Sequence, residues 1–98
     1  MSPQAWHVYL LECRNGRLYT GISTDPARRF QQHLSGKGAM FTRLNRPERL
    51  LGSCLCNDRG SALRLEYEIK QMSAEAKRRL AASWPGSVSA AAPAPDSL

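Results

Sequence analysis

The stretch WHVYLLECRNGRLYTGI, residues 6–22, decides the fold. Residues 6–13 and 17–22 are rich in aromatic, β-branched and aliphatic side chains, and Asn15-Gly16 stands between them, so the stretch reads as a β-hairpin. The kind of turn sets which side chains share a face. A two-residue Asn-Gly turn pairs Arg14 with Arg17 and puts Tyr9 and Tyr19 on opposite faces. A three-residue loop, Arg14-Asn15-Gly16 with Gly16 left-handed in a bulge, instead sets Cys13 against Arg17, Leu11 against Tyr19 and Tyr9 against Gly21. Only that second register lets both phenols contribute to one site.

Working outward, Asp25-Pro26 opens a helix over residues 26–35: Asp25 can cap exposed N–H groups, Pro26 suits the first helical position and Gly36 can close the far end. Ala27, Phe30 and Leu34 are expected on its apolar side, with Arg29 and His33, four apart, stacked on the adjacent stripe. Residues 36–47 read as irregular. RLLGSCLC, residues 49–56, reads as a third strand, and Asn57-Asp58-Arg59-Gly60 turns the chain into a long helix starting near Ser61. Its Ala62, Leu65, Ile69 and Met72 should face the core, which leaves Glu66 and Lys70 at the core's edge. Ser73 caps a last helix, residues 74–83, stopped by Pro85-Gly86. The Ser/Ala/Pro-rich segment from Ser87 has too few apolar groups to order itself. The expected organisation is one α/β domain over residues 4–85, a small three-stranded, mostly antiparallel sheet flanked by helices, and a disordered tail over residues 86–98.

A chain of 98 residues has room for one modest core and one site. The longest apolar run, Val8 to Leu11, is too short to cross a bilayer, and Met1-Ser2-Pro3-Gln4 is not a basic lead into a signal segment, so a cytoplasmic protein is expected. Cys13, Cys54 and Cys56 are odd in number and lack zinc-finger spacing, which favours free thiols packed in strands. Fourteen Lys and Arg against eight Asp and Glu give a net charge of +6, which favours a polyanionic partner. Arg28, Arg29, Lys37, Arg43, Arg46 and Arg49 fall in one stretch whose only acid between Arg29 and Arg49 is Glu48. That stretch is the expected phosphate-facing surface.

Tyr9, Tyr19, Arg29, His33 and Glu66 form the one set with the chemistry to cut a phosphodiester, which needs a deprotonated water, positive charge on the phosphoryl oxygens and relief of the leaving oxygen. Taken singly, each has a plain structural reading. Glu66 can pair with Lys70 on a solvated helix face, Arg29 with Asp25 one turn earlier, and His33 can do no more than complement a helix dipole. Tyrosines in strands are usually core residues, and a phenol of ordinary acidity is a poor base.

Order and spacing make the set specific. VYLLEC, LYTGIS, DPARRFQQH, SGKGAMFTR, RPERLLG and ALRLEYEIKQM, in that order over about residues 6–82, resemble the GIY-YIG nuclease family, most closely its small stand-alone bacterial members of the YhbQ type. Val8-Tyr9-Leu10 and Tyr19-Thr20-Gly21 stand at the two name-giving motifs. The resemblance implies a GIY-YIG fold and a metal-dependent endonuclease acting on DNA. By it, Tyr9 is the general base or water-orienting group with Tyr19 hydrogen-bonded beside it, and Arg29 binds the scissile phosphate. His33 assists in phosphate binding or proton transfer, Glu66 is the single protein ligand to Mg²⁺ or Mn²⁺, Gly21 leaves space opposite Tyr9, and Lys70 is a supporting cation. The late Asn of some members has no clear counterpart, and no zinc-finger or helix-hairpin-helix module accompanies the site. Restraint on cutting would then come from a homodimer, a protein partner or preference for branched or damaged DNA. The rival reading is a nucleic-acid-binding module that grips through Arg28, Lys37, Arg43, Arg46 and Arg49 and cleaves little or not at all.

Overall fold

The structure, a computed structural model, describes residues 5–84, so Gln4, Pro85-Gly86 and the expected tail lie outside the described residues. Strands β1 (Trp6–Cys13) and β2 (Leu18–Ser23) form the hairpin. Its turn is the three-residue loop: Cys13 N–H donates to Arg17 O at 2.8 Å, Gly16 N–H donates to Cys13 O at 2.9 Å, and Gly16 has φ of 84°. A side chain at that φ meets its own carbonyl, so glycine is the residue the loop requires. The register follows as expected, with Leu11 opposite Tyr19 and Tyr9 opposite Gly21.

Strand β3 (Pro47–Cys56) pairs antiparallel with β1 on its other side, giving the order β2-β1-β3. The register slips between Leu10 and Leu11, which pair with Gly52 and Leu50, and Leu51 at this bulge packs into the core. Two helices precede β3, α1 (Pro26–Leu34) and α2 (Met40–Leu44), and two follow it, α3 (Arg59–Lys70) and α4 (Ala74–Ala82). Asp25, Asp58 and Ser73 each accept a backbone N–H at the start of a long helix, from Arg28, Ser61 and Ala76.

Alternation along β1 gives the sheet two different faces. Val8 and Leu10 point to the apolar core, where they meet Leu51, Ala62 and Ile69 of α3, Ala81 of α4, and Trp84. Full burial of each such aliphatic side chain contributes roughly 1.5–3 kcal/mol. Tyr9, Leu11 and Cys13, buried too, point to the opposite face, against which α1 packs. Leu65 and Met72 flank the core as the helical spacing predicts.

Three expectations are corrected. Residues 36–47 are not all irregular, since Met40–Leu44 form α2; five residues without a side-chain N-cap bond leave little periodic signal. Ala27 is exposed, and the one buried residue of α1 is His33, a polar side chain where an apolar one was expected. Strand β3 begins at Pro47, two residues early, because its first residues pair with Glu12 and Cys13 at the end of β1. Cys13, Cys54 and Cys56 are free thiols. Among the described residues no helix is long and apolar enough to cross a membrane.

Candidate active site

Five elements meet around the Tyr9 hydroxyl. Strand β1 brings Tyr9 and β2 brings Tyr19 and Gly21; α1 brings Arg29 and His33; α2 brings Thr42; α3 brings Glu66. Tyr9 is 1% exposed, and a Cβ at Gly21 would stand 2.5 Å from its oxygen. The space opposite Tyr9 is therefore filled by its own phenol, and Gly21 is required for the ring to lie flat across β2.

The Tyr9 hydroxyl is 2.9 Å from Nε2 of His33, and Nδ1 of His33 is 2.7 Å from the Thr42 hydroxyl, which in turn donates to Ala39 O at 2.9 Å. His33 is buried, and the Tyr19 ring packs against it tilted by 59°, with ring centroids 5.0 Å apart. The centroids of Tyr9 and Tyr19 are 6.2 Å apart. No hydrogen bond joins the two phenols, contrary to the expected pairing, because the Tyr9 hydroxyl is directed at His33 instead. Gly38 has a similar role to Gly21: a Cβ there would overlap Nδ1 of His33.

Burial sets the protonation states. It lowers the His33 pKa to about 4, with the nearby Arg29 cation adding to the effect, so the imidazole is neutral at pH 7. Burial, and then Tyr19, push the Tyr9 phenol well above its ordinary range, while the Arg29 guanidinium beside it pulls the other way. Glu66 is also near enough for its charge to act on Tyr9. Arg29 is not paired with Asp25, whose carboxylate caps α1; it donates to Gln32 Oε1 at 2.8 Å. That bond to a neutral amide leaves its charge uncompensated and available to an anion.

Glu66 pairs with Lys70 at 3.3 Å, the i,i+4 contact read from the sequence, and its side chain is 18% exposed. Among the described residues no three His, Cys, Asp or Glu side chains gather into a metal cage. A lone carboxylate does fit a small, hard cation that keeps most of its own waters and takes phosphate oxygens, as Mg²⁺ and Mn²⁺ do, but not zinc held by protein ligands alone.

The basic residues divide. Arg28 lines a shallow cleft of about 180 Å³ with Arg29 and Gln32. Arg43 and Arg46 line a larger one of about 380 Å³ that reaches His33 and Thr42. Lys37 is exposed between α1 and α2. Arg49 is committed elsewhere, at 2.6 Å from Glu12, whose second oxygen accepts from Arg78. Although partial burial disfavours the charge, hydrogen bonds from Arg78 and Arg49 hold the Glu12 carboxyl below the usual range. Arg49 therefore ties β3 to β1 through Glu12 rather than standing free for phosphate, while Arg78 also donates to Gly16 O of the hairpin loop.

Thr42 and Gly38 were not singled out from the sequence. Neither carries a distinguishing local signal, because their roles depend on a short helix folding back over His33.

The chain is similar to known proteins in sequence and fold. The GIY-YIG catalytic domain matches residues 5–79. A UPF0213 protein of Cupriavidus necator is 49% identical over 84 residues, covering 86% of this chain and 91% of the relative. A UPF0213 protein of Yersinia enterocolitica is 47% identical over 88 residues, covering 90% and 91%. The solution NMR structure of an E. faecalis protein superposes with a TM-score of 0.55 at 30% identity, covering 81% of this chain and 84% of that one. On that match over residues 5–79 and those identities, the chain belongs to the GIY-YIG family of nuclease domains, among the small UPF0213 proteins.

Proposed function

We propose that this protein is a metal-dependent endonuclease that hydrolyses phosphodiester bonds in DNA. The observation that carries the reading is the convergence of Tyr9, His33, Arg29 and Glu66 from three separate elements on one hydroxyl. Arg29 binds a non-bridging oxygen of the scissile phosphate and stabilises the charge that builds there. The Tyr9 oxygen takes a proton from the attacking water as its own proton passes to Nε2 of His33, 2.9 Å away. The water oxygen forms the new bond to phosphorus in line with the P–O bond that breaks, and the leaving oxygen takes its proton from solvent. Glu66 is the residue that would hold Mg²⁺ or Mn²⁺, and the cation would supply Lewis-acid stabilisation of the phosphoryl oxygens. Lys70, already beside Glu66, adds a second positive charge.

Arg28, Lys37, Arg43 and Arg46 make no ion pair among the described residues and supply the non-specific grip on the backbone. Branched or damaged DNA is the substrate class to try first, with a protein partner or a second copy as the source of restraint. Three free thiols and a DNA substrate go with a cytoplasmic setting.

The test is incubation of the purified protein, with and without Mg²⁺ or Mn²⁺, with duplex, single-stranded, flapped and branched DNAs. Metal-dependent cleavage that disappears in Glu66→Ala and Arg29→Ala is the expected result. Tight, salt-sensitive binding without cleavage on every substrate would replace this reading by that of a binding module.

A further inference from the structure

We infer that Thr42 is a positioning residue: its hydroxyl holds the His33 imidazole as the Nδ1–H tautomer, which leaves the Nε2 lone pair facing the Tyr9 hydroxyl. The argument is a count of protons along one chain of contacts. Tyr9 Oη, His33 Nε2 and Nδ1, Thr42 Oγ1 and Ala39 O follow one another at 2.9, 2.7 and 2.9 Å across the ring. Two arrangements satisfy the geometry. In the first, the phenol donates to Nε2, Nδ1–H donates to the Thr42 oxygen, and the Thr42 proton goes to Ala39 O. In the second, Thr42 donates to Nδ1 and Nε2–H donates to the phenol oxygen.

Ala39 O does not choose between them, since it also accepts from the N–H groups of Thr42 and Arg43 at 3.1 Å each. Tyr9 does. Its hydroxyl is fully buried and keeps its proton at neutral pH, and in the second arrangement that proton has no acceptor, because His33 and the Arg29 guanidinium both present donors to the phenol oxygen. Leaving a buried donor unsatisfied is costly enough to favour the first arrangement by roughly 5- to 150-fold. Without the Thr42 oxygen that preference is lost, since each tautomer then leaves one buried donor without an acceptor, Nδ1–H in the first and the Tyr9 hydroxyl in the second. The ring is hemmed in by Gly38 at its Nδ1 edge and by the tilted Tyr19 ring 5.0 Å away.

Helix α2 is tied down so that this hydroxyl stays in place. Asn15 of the hairpin loop donates to Asn45 Oδ1 at 2.7 Å, and Asn45 Nδ2 donates back to Phe41 O at 2.9 Å. Arg14 N–H donates to Arg46 O at 2.9 Å. The turn that sets the register of Tyr9 therefore also anchors the helix that orients its partner.

The kinetic consequence of this inference rests on the nuclease reading, whereas the tautomer does not, so the two are tested separately. Long-range ¹H–¹⁵N correlation spectra of the imidazole report which nitrogen carries the proton. The wild-type protein and Thr42→Ser should show His33 protonated on Nδ1, and the near-isosteric Thr42→Val should shift it toward Nε2–H. A wild-type proton on Nε2, or an unchanged Nδ1–H signal in Thr42→Val, would overturn the assignment, and the wild-type spectrum decides even if the Val variant does not fold. With cleavage established, Thr42→Val should lower kcat about 10- to 100-fold at unchanged KM, with Thr42→Ser restoring it. A loss confined to stability, or one that Ser does not rescue, would leave Thr42 a packing residue. Absence of cleavage in the wild type would count against the nuclease reading alone.

Discussion

Lowering the pH should destabilise this protein through His33 before its carboxylates titrate. In the folded chain the imidazole has a pKa of about 4, held down by burial and by Arg29, while in the unfolded chain it returns to about 6.5. Above the unfolded value both states hold neutral histidine, and the group adds no pH dependence. Between the two values the unfolded chain binds a proton that the folded chain refuses, so stability falls as pH falls through that window and levels off below the lower value. At about 1.4 kcal/mol per pKa unit, the full loss is about 3 kcal/mol, a large share of the 5–15 kcal/mol of a typical domain. Glu12 acts lower still: its depressed pKa contributes stability that is lost only as pH falls below the ordinary carboxylate range. The assay is urea unfolding at a series of pH values spanning the window, for the wild type and for His33→Gln, which keeps a polar side chain but does not titrate. The wild type should lose about 3 kcal/mol relative to the variant, with NMR titration of His33 showing no protonation above pH 5. A midpoint for His33 near the ordinary histidine value, or parallel pH profiles for the two proteins, would refute the burial argument.

Gly21→Ala places a Cβ 2.5 Å from the buried Tyr9 oxygen and 3.0 Å from Tyr19 Cε2, so about 1–3 kcal/mol of stability should be lost in thermal or urea unfolding, and cleavage should fall further than stability. Glu12→Gln removes the carboxylate that Arg49 and Arg78 share; because both arginines are substantially exposed, about 1 kcal/mol is the expected cost by urea unfolding, shrinking in high salt. Replacing Arg43 and Arg46 with Gln should weaken binding to all DNA sequences alike and reduce the slope of log K against log salt by about 1 per arginine that meets a phosphate. Arg49→Gln, at the same charge change, should lower stability more than affinity, because Arg49 is bound to Glu12.

Much of the fold was legible because its signals are local. Asn15-Gly16 between two apolar runs gives a hairpin, Asp25-Pro26, Asp58 and Ser73 give helix starts, and the spacing of Ala62, Leu65, Ile69 and Met72 gives the buried face of α3. Helix α2 was not legible, since five residues make one turn that is stable only because Asn15 and Arg14 hold its end. Periodicity also misplaced the buried side of α1. It assigns burial to apolar residues, whereas His33 is buried by hydrogen bonds to Tyr9 and Thr42.

By itself, the sequence determined the hairpin, the helices that follow, the basic surplus and the identity of five residues able to act on a phosphodiester. These follow from backbone propensity, turn chemistry and charge, which act over a few residues or over the whole composition. Only the tertiary structure decided the roles: that Gly16 is left-handed and so puts both phenols on one face, that Tyr9 meets His33 rather than Tyr19, that Thr42 completes the chain of hydrogen bonds, and that Arg49 belongs to Glu12. Hydrogen bonds and desolvation depend on distances of a few ångströms between segments up to 66 residues apart in sequence, and such distances are set by packing.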